Sequence, residues 1–199
     1  MKRLIIFLFA LFAMPAFAGA PGPGTNSVKS ANEKISGLLK QKVTAGSKEE
    51  KDLAGKVAGS VRDFLDIDEL GKRAMADNWA KLTKAQQDEF LATLRSLIED
   101  NYVKGLRSNL EYSVDYTGEA MDKDNLVVTT QINTKRHNRP YKIEVDYVLR
   151  KDGDKYKAWD VKTDGVGLVD NYREQFNKII EKDGFAGLIS KMKKKQSEG

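Results

Sequence analysis

Leu126-Val127-Val128-Thr129-Thr130-Gln131-Ile132 and Ile143-Glu144-Val145-Asp146-Tyr147-Val148-Leu149 decide the fold. Side chains of a strand alternate between two faces, so Leu126, Val128, Thr130 and Ile132 lie on one side of their strand, and Ile143, Val145, Tyr147 and Leu149 likewise on one side of theirs. Tyr112, Val114 and Tyr116 repeat the pattern upstream. Downstream, Lys151-Asp152-Gly153-Asp154 carries the Asp-Gly pair of a tight hairpin and leads into a further strand, Tyr156 to Val161. Connections this short predict an antiparallel meander of about four strands.

On both sides the period becomes helical. Ala20 to Ser27 reads as a Pro/Gly linker, and Val28, Ala31, Ile35, Leu38 and Leu39 then recur at helical spacing. Ser47-Lys48-Glu49-Glu50 is a capping box ahead of the stripe Leu53, Val57, Val61 and Phe64 or Leu65. Asp66 can cap a third helix through Leu70 and Met75. Thr83-Lys84-Ala85-Gln86 opens a long fourth helix with Phe90, Leu94, Leu97, Ile98 and Leu106 on one face, ending near Arg107. Gly165-Val166-Gly167 reads as a close turn. After it, Val169, Tyr172, Phe176, Ile179 and Ile180 predict a helix that Asp183-Gly184 breaks, and a short last helix carries Phe185, Leu188, Ile189 and Met192. The expected class is α+β, an antiparallel sheet with helices over one face. The expected domain runs over 28–195, as a helical half 28–107 and a sheet with C-terminal helices 108–195.

Met1-Lys2-Arg3, the apolar run Leu4 to Ala13 and Ala16-Phe17-Ala18 together read as a secretory signal peptide over 1–18, followed by a flexible linker over 19–27. The expected location is the periplasm, after cleavage near Ala18. The chain has no cysteine, so no disulfide framework and no lipobox thiol are available. With 34 basic and 29 acidic residues the net charge is +5, and loss of Lys2 and Arg3 leaves +3. Export removes nucleic acid as a partner, which leaves anionic surfaces or acidic proteins. The one histidine, His137, sits in a turn and makes a poor general base; without Cys and with one His, a zinc or copper site is not expected. Asp66/Asp68 and Asp152/Asp154 are explained by a helix cap and a hairpin turn. The chain is expected to be no enzyme and to hold no cofactor.

Leu65-Asp66, Trp79, Thr83, Gln86-Gln87, Phe90, Leu97 and Tyr102, followed by Trp159-Asp160-Val161, Val169, Asn171-Tyr172-Arg173 and Phe176, resemble the MlaC/toluene-tolerance family of exported lipid-binding proteins over about Ile35 to Met192. Gly167 stands where the family often has Ser, and Leu65 where Phe is common. The resemblance implies an NTF2-like fold that carries a phospholipid between sheet and helices. It also implies traffic between an inner-membrane ABC transporter complex with an MCE-domain protein and an outer-membrane lipoprotein complex. Leu97, Ile98, Tyr102, Val145, Tyr147, Trp159, Val161, Val169, Tyr172 and Phe176 are then the expected lipid-facing residues. Arg173, Lys135, Arg136 and Arg139 are the expected contacts for a headgroup or a partner. The chain is expected to act as a monomer. Moving a diacyl lipid through water exposes roughly 30 methylenes, a cost on the order of 25 kcal/mol, so a carrier must hide both tails. An envelope adaptor or chaperone with a filled core is the alternative on the same scaffold.

Overall fold

The computed structural model describes residues 21–104, 112–136 and 139–197. The leader expected over 1–18, Leu106, Arg107 and His137 lie outside the described residues. Helices α1 (Pro23–Leu39), α2 (Lys48–Phe64), α3 (Ile67–Met75) and α4 (Lys84–Lys104) precede the strands, with a 3-10 turn at Ala76–Lys81. Strands β1 (Ser113–Asp122), β2 (Asn125–Arg136), β3 (Arg139–Asp152), β4 (Lys155–Thr163) and β5 (Val166–Gly167) form one sheet in sequence order, each antiparallel to its neighbour. Helix α5 (Leu168–Ser197) closes the chain, and its helical geometry is interrupted at Gly184, whose φ of 69° favours glycine.

Local chemistry accounts for most boundaries. Ser47 Oγ accepts from the Glu50 amide at 3.1 Å, and Asp66 Oδ1 accepts from the Glu69 amide at 3.1 Å. Thr83 and Gln86 form the reciprocal capping box, with the Thr83 amide donating to Gln86 Oε1 at 2.9 Å. Strand β1 continues past Tyr116 to Asp122 because Lys123, at φ 54°, lets two residues turn the chain into β2. The fifth strand, beyond the four expected, follows a turn at Asp164 and Gly165 with φ of 48° and 82°.

One boundary differs from the reading of 19–27 as a flexible linker: α1 begins at Pro23. Proline at the first helical position has φ preset and lacks only an amide that would be unpaired there. The next amides, of Gly24 and Thr25, donate to the Glu119 carboxylate of β1 at 3.2 and 2.7 Å. Gly24 itself lies so close to the sheet that a Cβ would stand 2.6 Å from Leu126 Cδ2.

The core lies between the sheet and the helices. Register puts Leu126 opposite Leu149, Val128 opposite Tyr147 and Thr130 opposite Val145, all buried on one face. Against them pack Val28 and Ile35 of α1, Val57, Val61 and Phe64 of α2, Leu70 and Met75 of α3, Phe90, Leu94 and Ile98 of α4, and Val169, Phe176 and Leu188 of α5. Each such side chain contributes about 1.5–3 kcal/mol by leaving water. The buried Thr130 hydroxyl donates to the Val145 carbonyl at 3.0 Å, so it costs little. Asp66 joins the two layers: its amide donates to the Ala158 carbonyl of β4 at 2.8 Å and its carboxylate pairs with Arg150 of β3.

Candidate functional site

Five of the seven tyrosines belong to one neighbourhood: Tyr102 near the end of α4, Tyr112 just before β1, Tyr116 on β1, Tyr147 on β3 and Tyr172 on α5. Asn32 of α1 ties two of them together, its amide nitrogen donating to the Tyr116 hydroxyl at 3.3 Å and the Tyr147 hydroxyl at 3.5 Å. Burial raises the hydroxyls of Tyr116, Tyr147 and Tyr172 above the ordinary phenol range, and the Asn32 bond partly opposes this for the first two.

Tyr102 is the informative member. Burial pushes its hydroxyl up to about 12, with Tyr147, Tyr112 and Tyr172 adding to the shift, yet 37% of its surface remains accessible. Phenols shifted this way stay protonated near neutral pH, so the group supplies ring faces and hydroxyls but no general base.

Between α1 and β1 lies a groove of about 310 Å³. Lys29, Asn32, Glu33 and Ser36 of α1 face Tyr112, Val114 and Tyr116 across it. Helical spacing puts the four α1 residues on one stripe, next to the apolar stripe of Val28 and Ile35. Lys29 and Glu33, one turn apart, are 4.0 Å from each other and largely exposed.

The expected lipid-facing residues differ in burial. Ile98, Val145, Tyr147, Val169 and Phe176 are buried in the main core, and Leu97 is buried on α4. Phe176 stacks on Tyr172 at 5.3 Å and meets Phe90 edge-on at 5.5 Å; Phe64 meets Tyr147 at 5.9 Å. Val161 and Tyr172 are half-buried against that core, and Val161 stands opposite Tyr147 on the helix-covered face. Trp159 is held differently. It is the extra residue of a bulge where Val148 pairs with Asp160 and Leu149 with Ala158; its indole donates to Asn125 Oδ1 at 3.0 Å, and the Arg73 guanidinium lies 4.0 Å over its ring.

Arg173 is engaged within the fold. It donates to the Arg73 carbonyl in the last turn of α3 at 2.9 and 3.3 Å and to Asp170 at 2.9 Å, satisfying a carbonyl that a helix end leaves unpaired. Lys135 and Arg139 are exposed on the β2–β3 hairpin, far along the strands from Asp66; the Arg136 side chain lies outside the described residues. Gly167 leaves room for Asp160, whose carboxylate oxygen would stand 2.6 Å from a Cβ there. That carboxylate accepts from the Val169 amide at the start of α5 at 3.1 Å and from the Val161 amide at 2.9 Å. Sequence reasoning missed Lys29, Asn32, Glu33, Glu119 and the cap made by Asp160. The one available signal was polar spacing along α1 beside its apolar stripe.

Among the described residues no cluster of His, Cys, Asp and Glu could hold a metal ion, and no helix is long and apolar enough to cross a membrane. A groove with charged side chains on one wall and Tyr112, Val114 and Tyr116 on the other, beside the tyrosine cluster, suits an amphipathic guest. Over 145 residues the chain is 22% identical to the intermembrane phospholipid transport system binding protein MlaC of Haemophilus influenzae, spanning 71% of this chain and 67% of that protein. Its fold is similar to that of the phospholipid-binding protein from Ralstonia solanacearum, solved in complex with a phospholipid at 1.53 Å resolution. The TM-score is 0.71 at 21% identity, over 89% of this chain and 98% of the other. Residues 29–194 match the family described as MlaC protein, and this chain belongs to the MlaC family.

Proposed function

We propose that this chain is a periplasmic phospholipid carrier that shelters acyl chains between its sheet and helices and catalyses no reaction. The observation that carries this reading is the cluster of Tyr102, Tyr116, Tyr147 and Tyr172 at the edge of a core rich in aromatic rings. The named relatives support it, one as a component of an intermembrane phospholipid transport system and one with a phospholipid bound. In the finer reading, the carrier moves lipid between an inner-membrane ABC transporter complex and an outer-membrane lipoprotein complex. A pocket that matches the bilayer interior makes transfer nearly isoenergetic, so modest docking energies at each end are enough to set direction.

Native mass spectrometry of the chain exported to a Gram-negative periplasm tests the proposal. A co-purifying phospholipid mass is expected. A bare polypeptide that also takes up no lipid from vesicles overturns the carrier reading and favours an adaptor with a filled core.

A further inference from the structure

The groove between α1 and β1 has features that sheltering acyl tails does not require. Its α1 wall holds a cation, Lys29, and an anion, Glu33, one helical turn apart at 4.0 Å, with Asn32 and Ser36 between and beside them. Its other wall holds the Tyr112 and Tyr116 side chains. At about 310 Å³ it is too small for a pair of acyl chains and of the right order for a compact polar group. The groove is also joined to the tyrosine neighbourhood. Tyr116 shares the Asn32 amide with Tyr147, and Tyr112 lines the groove while being one of the tyrosines around Tyr102.

Resting on the carrier reading above, we propose that this groove seats the headgroup of the lipid and favours a zwitterionic aminophospholipid over an anionic one. The phosphate lies against the Lys29 ammonium with the Tyr116 hydroxyl, which accepts from Asn32 and keeps its own proton, as a further donor, and the headgroup ammonium lies against Glu33. An anionic glycerol headgroup finds the same donors for its phosphate but has no cation to match Glu33. Lys29 and Glu33 are both largely exposed, so water and salt screen them and the preference is modest, about threefold.

The test uses the full mature chain, stripped of lipid and incubated with vesicles of equimolar dioleoyl phosphatidylethanolamine and dioleoyl phosphatidylglycerol, with bound lipid counted by native mass spectrometry. Identical tails isolate the headgroup. The expected wild-type ratio is about threefold toward phosphatidylethanolamine, falling with added salt. Glu33→Gln is expected to bring the ratio near one with total occupancy retained. The double exchange Lys29→Glu with Glu33→Lys keeps a helix ion pair, which controls for stability, and is also expected to abolish the preference. A wild-type ratio of one, or a ratio that both variants leave unchanged, overturns this inference while the carrier reading stands. No lipid on the wild-type chain overturns the carrier reading and this inference with it.

Discussion

Replacing Tyr102 and Phe176 separately with lysine distinguishes an accessible lipid-facing position from packed core. Phe176 is 3% exposed, sandwiched between the Tyr172 and Phe90 rings. Losing that ring costs about 3–5 kcal/mol, and an ammonium forced into its place adds several more. Against a total stability of about 5–15 kcal/mol, Phe176→Lys is expected to unfold or nearly unfold the chain. At Tyr102, with 37% of its surface accessible, a lysine ammonium can extend to water, and the expected loss of stability is about 1–2 kcal/mol. Where acyl chains cover this position, as the carrier reading requires, that ammonium loses its water. A penalty of about 3 kcal/mol lowers lipid affinity roughly 150-fold. The assay pairs thermal unfolding with lipid occupancy by native mass spectrometry. Expected for Tyr102→Lys is a folded chain without lipid. Full lipid occupancy in that variant, or collapse of the fold as severe as for Phe176→Lys, refutes the reasoning from accessibility within a desolvated site.

Alkaline titration followed at 295 nm should resolve tyrosines that ionise late, Tyr102 last at about 12. A folded-state value raised above the unfolded one near 10 contributes stability that is full below about pH 10 and is lost as pH rises toward 12, so melting temperatures should fall across that window. Titration of all seven tyrosines together near pH 10 in the folded chain would contradict the desolvated group. Asp160→Ala removes the acceptor for the Val161 and Val169 amides and is expected to cost about 1–3 kcal/mol, read as a lower urea midpoint at unchanged slope, with Asp160→Asn milder. Reversing the charges of Lys135, Arg136 and Arg139 should weaken binding to an acidic membrane-complex partner and flatten its salt dependence without changing the melting temperature. Binding that survives the triple reversal with its salt dependence intact moves docking to another surface.

Features encoded by neighbours in sequence were legible, and features made by distant residues were not. The caps at Ser47, Asp66 and Thr83, the break at Gly184 and the inner-face alternation of β2 and β3 each depend on a few consecutive residues. The start of α1 depends on Glu119, 94 and 95 residues away from the amides it accepts, so the local pattern shows only proline and glycine. Bulges shift two further residues from simple alternation. One extra residue after Tyr116 puts Glu119 on the inner face, and one at Trp159 takes that ring out of the alternation that Tyr147 and Val161 keep. The groove escaped notice because Asn32 and Tyr116 are 84 residues apart and Asn32 does not stand out in its own segment.

These long-range caps bear on how the proposed carrier would keep room for its cargo. The carboxylates of Glu119 on β1 and Asp160 on β4 hold the N-termini of α1 and α5 against the sheet, and Asp66 caps α3 while pairing with Arg150. Each carboxylate meets amides at a positive helix end, a charge-assisted contact that depends on edge geometry and not on how fully the space between the layers is packed. A protein held only by packing would lose contacts wherever a recess opened, and its walls would collapse inward. Here the helices are also fastened at their ends, so the wall carrying Tyr102 and Tyr172 need not pack to native density for α1 and α5 to stay in register. Cutting one fastening should then loosen lipid retention before it melts the fold. In Glu119→Gln, which keeps an acceptor but removes the charge, the amides of Gly24 and Thr25 are expected to exchange hydrogen faster and bound lipid to leave sooner at a nearly unchanged melting temperature. Unchanged lipid release alongside faster exchange would mean that α1 covers the cargo without holding it.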